Sequence, residues 1–100
     1  MESVSTYFSE VEQMLRAISL ADLRRALDIL EEAYFDGRRI FILGNGGSAA
    51  TASHFALDLA KNTIMVGAPR VKAISLTDHV PLITAWSNDT HYEHIFAEQL

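Results

Sequence analysis

The sequence holds no cysteine, which excludes disulfides and thiolate metal sites in this chain and fits a reducing compartment. Positive charge is scarce: 8 Lys and Arg stand against 13 Asp and Glu, for a net charge of −5. The close basic pairs, Arg24-Arg25 and Arg38-Arg39, read as solvated flanks of a helix and a strand. A basic stripe of the kind that nucleic-acid binding uses is lacking, so no nucleic-acid partner is expected. No apolar run approaches the roughly 20 residues of a membrane span. Met1-Glu2-Ser3-Val4 lacks the basic stretch and apolar run of a signal peptide. The expectation is a soluble cytoplasmic protein with no membrane partner.

What is present is a globular composition, 49% hydrophobic and 21% charged over 100 residues, enough for one domain spanning 1–100. Residues 1–37 read as a helix pair. Val4, Tyr7, Phe8, Val11, Leu15 and Ile18 fall at helical spacing from about Ser3 to Ile18. Ser19 is an N-cap candidate with Asp22 three residues on, and Leu20, Leu23, Leu27, Leu30 and Tyr34 form a second stripe that Gly37 ends. The apolar stripes of an antiparallel pair need cover, from a sheet or from another subunit.

Residues 38–100 read as β-α-β-α-α. Ile40-Phe41-Ile42-Leu43 predicts a strand buried on both faces, as in a parallel sheet. A glycine-rich loop and a helix from about Ser48 to Lys61 follow, then a less regular stretch from Asn62 to Arg70 and a second strand over Val71 to Leu76. A short helix starting at Thr77 or Asp78 is expected to break at Ser87-Asn88-Asp89, and a last helix to run from Thr90-His91-Tyr92-Glu93 to Leu100. Strand, helix and strand in this order argue for a right-handed parallel crossover and an α/β class. Two strands are too few for such a sheet. The expectation is therefore a fragment, or part of an assembly that completes the sheet.

The loop Gly44-Asn45-Gly46-Gly47-Ser48 lies where open α/β sheets bind ligands, at the carboxyl end of a strand. Glycines allow a tight turn and close approach. The following helix start has free N–H groups and partial positive charge, which suit a phosphate or an anionic enediolate. Ser48 adds a hydroxyl, and Asn45 an amide that donates and accepts. The loop departs from the dinucleotide fingerprint, because Ala49 fits only loosely and no acid stands at the ribose distance. It also lacks the Gly-Lys-Ser/Thr ending of a Walker loop. A plain structural turn is the competing explanation.

On the next helix Thr51, His54, Asp58 and Lys61 share one face. His54 and Asp58, at i and i+4, suit acid/base partners, two metal ligands or an ordinary surface pair. His91 and His94 read as a solvated helix start, with metal binding the lesser alternative, Trp86 as core before ligand platform, and His79 as a candidate to line the site.

Ile42-Leu43-Gly44-Asn45-Gly46-Gly47-Ser48-Ala49-Ala50, followed by Ser53-His54-Phe55-Ala56, resembles the SIS (sugar isomerase) domain, and within it the phosphoheptose (sedoheptulose 7-phosphate) isomerase group. Ala73-Ile74-Ser75-Leu76, Asn88-Asp89, Tyr92-Glu93, Phe96 and Gln99 extend the likeness along the chain. The resemblance implies a three-layer α/β sandwich with a parallel sheet, preceded by the helix pair, of which this chain covers about half. It implies a homo-oligomer, tetramer or dimer, with sites between subunits, and aldose–ketose isomerisation of a sugar phosphate through an enediol. Carried over by position, Gly44, Asn45, Gly46, Gly47, Ser48 and Asp89 would bind substrate. Asp58 and His54 would be catalytic, and the same two would hold a divalent metal such as zinc. The isomerases carry Glu at the position of Asp58 and a basic residue at that of Asn62. These departures open an alternative, a non-catalytic SIS module that binds a sugar phosphate or a partner.

Overall fold

The computed structural model describes residues 3–100. The chain divides into two compact units, Met1–Glu32 and Ala33–Leu100.

In the first unit α1 spans Val4–Ala17. The Ser3 hydroxyl caps it, accepting from the Thr6 amide at 3.2 Å. Ile18 turns the chain into extended backbone, and the Ser19 hydroxyl accepts from the Asp22 amide at 3.2 Å to open α2, Leu20–Phe35. The cap expected at Ser19 is therefore formed. Neither helix buries a residue within this chain.

The second unit begins inside α2. That helix closes with Gly37 N–H donating to Tyr34 and Arg38 N–H to Ala33, the paired bonds of a Schellman ending. β1, Arg39–Ile42, pairs in parallel with β2, Lys72–Ser75, in the register Ile40 with Ala73 and Ile42 with Ser75. The Leu76 amide continues the ladder to the Ile42 carbonyl at 2.9 Å. Between the strands lie α3, Gly47–Leu57, and a π-helical turn, Asp58–Asn62. α3 lies against both strands. The core is small: Ala52, Ala56, Leu76 and Ile95. Two alanines on α3 let the helix approach the sheet closely.

Three expectations need correction. β1 is covered on one face only: Ile40 and Ile42 are half-buried while Phe41 remains 43% exposed, as does Ile74 beside it at 42%. Its apolar run records a strand that needs cover on both sides, and the described residues supply one. α4 spans Val80–Asp89 and runs through Ser87-Asn88-Asp89, ending at Thr90, whose hydroxyl bonds back to the Trp86 carbonyl at 2.7 Å. Its N-cap is His79, whose Nδ1 accepts from the Leu82 amide at 3.1 Å. Thr77 and Asp78 are engaged elsewhere. The last helix is replaced by two 3₁₀ turns, Tyr92–His94 and Ala97–Gln99. Gln99 Nε2 donates to the Leu76 carbonyl at 3.0 Å and to the Ile95 carbonyl at 2.8 Å, tying this segment to the end of β2.

Candidate active site

The loop after β1 is shaped by two glycines. A Cβ on Gly44 would stand 2.5 Å from the Ser48 carbonyl oxygen, so the strand end and the first turn of α3 meet only if residue 44 has no side chain. Gly44 therefore has a packing role in addition to any contact its backbone makes with a ligand. Gly46 precedes α3 at φ +57° and ψ −123°, a backbone region closed to side chains.

The amide cradle is narrower than a free helix start. Ser48 N–H donates to the Asn45 carbonyl, and the Ala49 and Ala50 N–H groups to Gly46. Among the described residues the Gly46 and Gly47 amides have no protein acceptor. These two are free to donate, and the Ser48 hydroxyl is also without a protein partner among the described residues. Asn45 is held from across the fold: its Oδ1 accepts from the Tyr92 hydroxyl at 2.6 Å. With the oxygen occupied, the Asn45 NH₂ is left to donate. The sequence carried Tyr92 in a helix-start segment and in a likeness; its hold on Asn45 depends on a contact 47 residues apart.

An open groove of about 470 Å³ runs along α3, lined by Ala50, Thr51, His54, Phe55 and Asp58. All its lining among the described residues comes from this one helix and the turn that follows. His54 Nε2 stands 3.4 Å from Asp58 Oδ2, with the side chains 73% and 48% exposed. The expected pair is thus formed, on a surface open to solvent. Asn62 Nδ2 donates to the other oxygen, Asp58 Oδ1, at 2.7 Å. An Asn four residues after an Asp on a helix is a local signal for such a bond.

The helical rise places the α-carbon of Asp58 roughly 16 Å along the axis from that of Gly47. The lean of side chains towards the helix start shortens this somewhat. The cradle and the carboxylate therefore occupy opposite ends of α3. Asp89 lies exposed at the end of α4 and accepts from Asn88 Nδ2 at 3.3 Å, with no hydrogen bond to the loop among the described residues. His79 serves as a helix cap.

At the end of β2, Thr77 Oγ1 stands 3.1 Å from Ser53 Oγ and 2.7 Å from Ser75 Oγ, and reaches the Ala49 carbonyl at 3.3 Å. Ser53 also bonds Asp78. This hydroxyl network fixes α3 against the strand, and so sets the position of both its ends. Among the described residues no group of three or more His, Cys, Asp or Glu could hold a metal ion. His54 and Asp58 are two donors, short of the three protein ligands of a catalytic zinc, so a metal does not fit on these residues alone.

Residues 6–100 match the SIS domain. The chain is 31% identical over 101 residues to the phosphoheptose isomerase of Syntrophotalea carbinolica, covering 98% of this chain and 51% of that protein. With the phosphoheptose isomerase of Shewanella oneidensis it shares 32% over 99 residues, 99% of this chain and 47% of that one. The lincomycin biosynthesis protein LmbN of Streptomyces lincolnensis is 42% identical over 71 residues, 71% of this chain and 26% of LmbN. The structure of phosphoheptose isomerase GmhA from Neisseria gonorrhoeae superposes with a TM-score of 0.81 at 28% identity, over 96% of this chain and 50% of that one. The parallel sheet with its helices is thus the SIS fold, and the chain spans about half the length of the isomerases it matches.

Proposed function

Because this chain belongs to the SIS domain family, we propose that it is part of a sugar-phosphate aldose–ketose isomerase acting on a seven-carbon sugar phosphate. The observation that carries the reading is the pairing of His54 with Asp58 in an open groove on the helix that starts at the glycine loop.

The reaction needs a base at the carbon beside the carbonyl and a proton donor at the oxygen. The Asp58 carboxylate removes the carbon-bound proton, and the electron pair moves into an enediol. His54, within reach of the same carboxylate, carries a proton between the carboxylate and the sugar oxygens. The Gly46 and Gly47 amides, the Ser48 hydroxyl and the Asn45 NH₂ bind anionic and hydroxyl groups of the ligand. Asp89 is assigned to the sugar hydroxyls.

A seven-carbon sugar phosphate extends roughly 10 Å, at about 1.2 Å per bond of extended chain. That is short of the span between cradle and carboxylate within one α3. We therefore place the site between copies of the chain in a homo-oligomer, with the loop of one copy and the Asp58 of another flanking one ligand. The exposed apolar side chains of α1, among them Tyr7, Phe8 and Leu15, support such an assembly. Among the described residues no helix is long and apolar enough to cross a membrane. A cytoplasmic location is part of the same proposal.

The test uses the full-length protein with sedoheptulose 7-phosphate, following product formation and deuterium entry from heavy water at the reacting carbon. Activity is measured with zinc added and with chelator, which decides the metal. Two inactive variants, Ser48→Ala with Asn45→Ala and Asp58→Asn, are then mixed under conditions that exchange subunits. Recovery of activity on mixing is expected for a shared site. Binding of the sugar phosphate without turnover or exchange by the wild-type protein sinks the isomerase reading and leaves a binding module.

A further inference from the structure

We infer that Tyr92 is a positioning residue for the ligand: its hydroxyl takes the oxygen end of the Asn45 amide and leaves the NH₂ end, a donor, to the ligand. The inference rests on the sugar-phosphate reading of the glycine loop and adds to it a residue from the far end of the chain.

An Asn amide has two ends of nearly equal shape and opposite hydrogen-bonding character. Which end meets a ligand is set by what holds the other. The Tyr92 hydroxyl stands 2.6 Å from Asn45 Oδ1. That separation lies in the O–H···O range and is shorter than N–H···O contacts run, so the oxygen faces the tyrosine and the nitrogen does not. Among the described residues the hydroxyl has no other protein partner, so its one proton goes to Asn45.

The tyrosine stands on an anchored segment. It opens the 3₁₀ turn Tyr92–His94, and its carbonyl accepts from the Ile95 amide at 3.2 Å. Ile95 is buried, and Gln99 is bonded to the Leu76 carbonyl. Tyr92 is thereby tied to the end of β2, while Asn45 follows the end of β1. The pairing of the two strands holds both residues in one frame.

The rest of the loop shows the same bias. The Asn45 carbonyl accepts from Ser48 N–H, and the Gly46 carbonyl from the Ala49 and Ala50 N–H groups. With Oδ1 also engaged, these acceptors are all used within the protein. The groups left over among the described residues are the Gly46 and Gly47 amides, the Ser48 hydroxyl and the Asn45 NH₂, and every one of them can donate. A ligand that meets this set needs acceptor oxygens. An amide with no tyrosine on it presents either end, and its oxygen would oppose an anionic ligand oxygen. In a chain of net charge −5, a set of fixed neutral donors draws such a ligand where the overall charge does not.

The test uses the full-length protein and sedoheptulose 7-phosphate, with KM and kcat from turnover and an apparent Kd from titration calorimetry. Tyr92→Phe keeps the ring and removes the hydroxyl. It is expected to raise KM and Kd about threefold to tenfold, with kcat within about twofold. Tm should not change, because the side chain is exposed. Asn45→Ala should raise KM and Kd at least as far. Adding Tyr92→Phe to Asn45→Ala should change nothing further, because the hydroxyl acts only through that amide. Asn45→Asp keeps an acceptor for Tyr92 but sets an oxygen against the ligand, so it should bind more weakly than Asn45→Ala. Wild-type affinity in Tyr92→Phe overturns the inference. It is also overturned by equal losses from Tyr92→Phe with and without Asn45→Ala, by a loss confined to kcat or tracking a falling Tm, and by an Asn45→Asp protein that binds as well as wild type. If wild-type protein binds without turnover, the isomerase reading fails alone and the Kd comparison still decides the role of Tyr92. A wild-type protein that does not bind the sugar phosphate overturns both.

Discussion

The two units of this chain use apolar residues in opposite ways. In Met1–Glu32 the helices carry large side chains, and none is buried: Tyr7 is 59% exposed and Leu15 63%. In Ala33–Leu100 half of the buried positions are small, two alanines beside Leu76 and Ile95. Large exposed residues are what an interface needs, because each covered side chain contributes about 1.5–3 kcal/mol. Small buried residues are what close approach needs, because they bring α3 onto the sheet and fix the glycine loop at its start. On the proposed reading, the first region serves assembly and the second places the site.

The largest effect expected to separate them is at Asp58. Asp58→Asn should lower kcat by about a hundredfold or more, while thermal melting stays where it was, because the side chain is half exposed. An equal loss from a change on α1 that leaves the assembly intact would break the division of labour.

Packing should respond next. Gly44→Ala places a methyl 2.5 Å from a backbone oxygen, and a loss of about 1–3 kcal/mol is expected in denaturant unfolding. Gly47→Ala meets nothing within 4 Å and should leave stability within about 0.5 kcal/mol. On the first unit the expected response is in size rather than in fold. Phe8→Ser combined with Leu15→Ser should reduce the particle mass by sedimentation, with helical circular dichroism retained. Unchanged mass would mean that this face stays open.

Smaller still is Tyr92→Phe, which frees the Asn45 amide. KM for the sugar phosphate should rise about threefold to tenfold with kcat nearly unchanged, matching loss of one neutral hydrogen bond. The smallest effect belongs to Arg24→Ala, which removes the Arg24–Asp28 pair at 3.1 Å on the exposed side of α2. At most about 0.5 kcal/mol is expected there, and less in salt.

Much of the site was legible along the chain. Gly44 to Ser48, the His54–Asp58 spacing and the cap at Ser19 rest on contacts within a few residues, and local spacing specifies such contacts. Two of the misread places share one cause. Thr77 and Asp78 look like helix starters, but their side chains bond Ser53 and Ser75, so His79 takes the capping role. The last apolar stripe looks helical, but Gln99 is drawn to the Leu76 carbonyl and Ile95 into the core, which leaves only 3₁₀ turns. In each case a partner more than twenty residues away outbid the local preference.

The order of helices and strands, the loop type and the side of α3 that carries His54 and Asp58 were set by residue pattern alone, because periodicity and glycine placement act over a few neighbours. Which amides remain free, whether the Asn45 side-chain oxygen is occupied, and which hydroxyls hold α3 against the end of β2 were decided by the folded chain. Those depend on hydrogen bonds between groups far apart in the chain, and no local pattern encodes such a meeting.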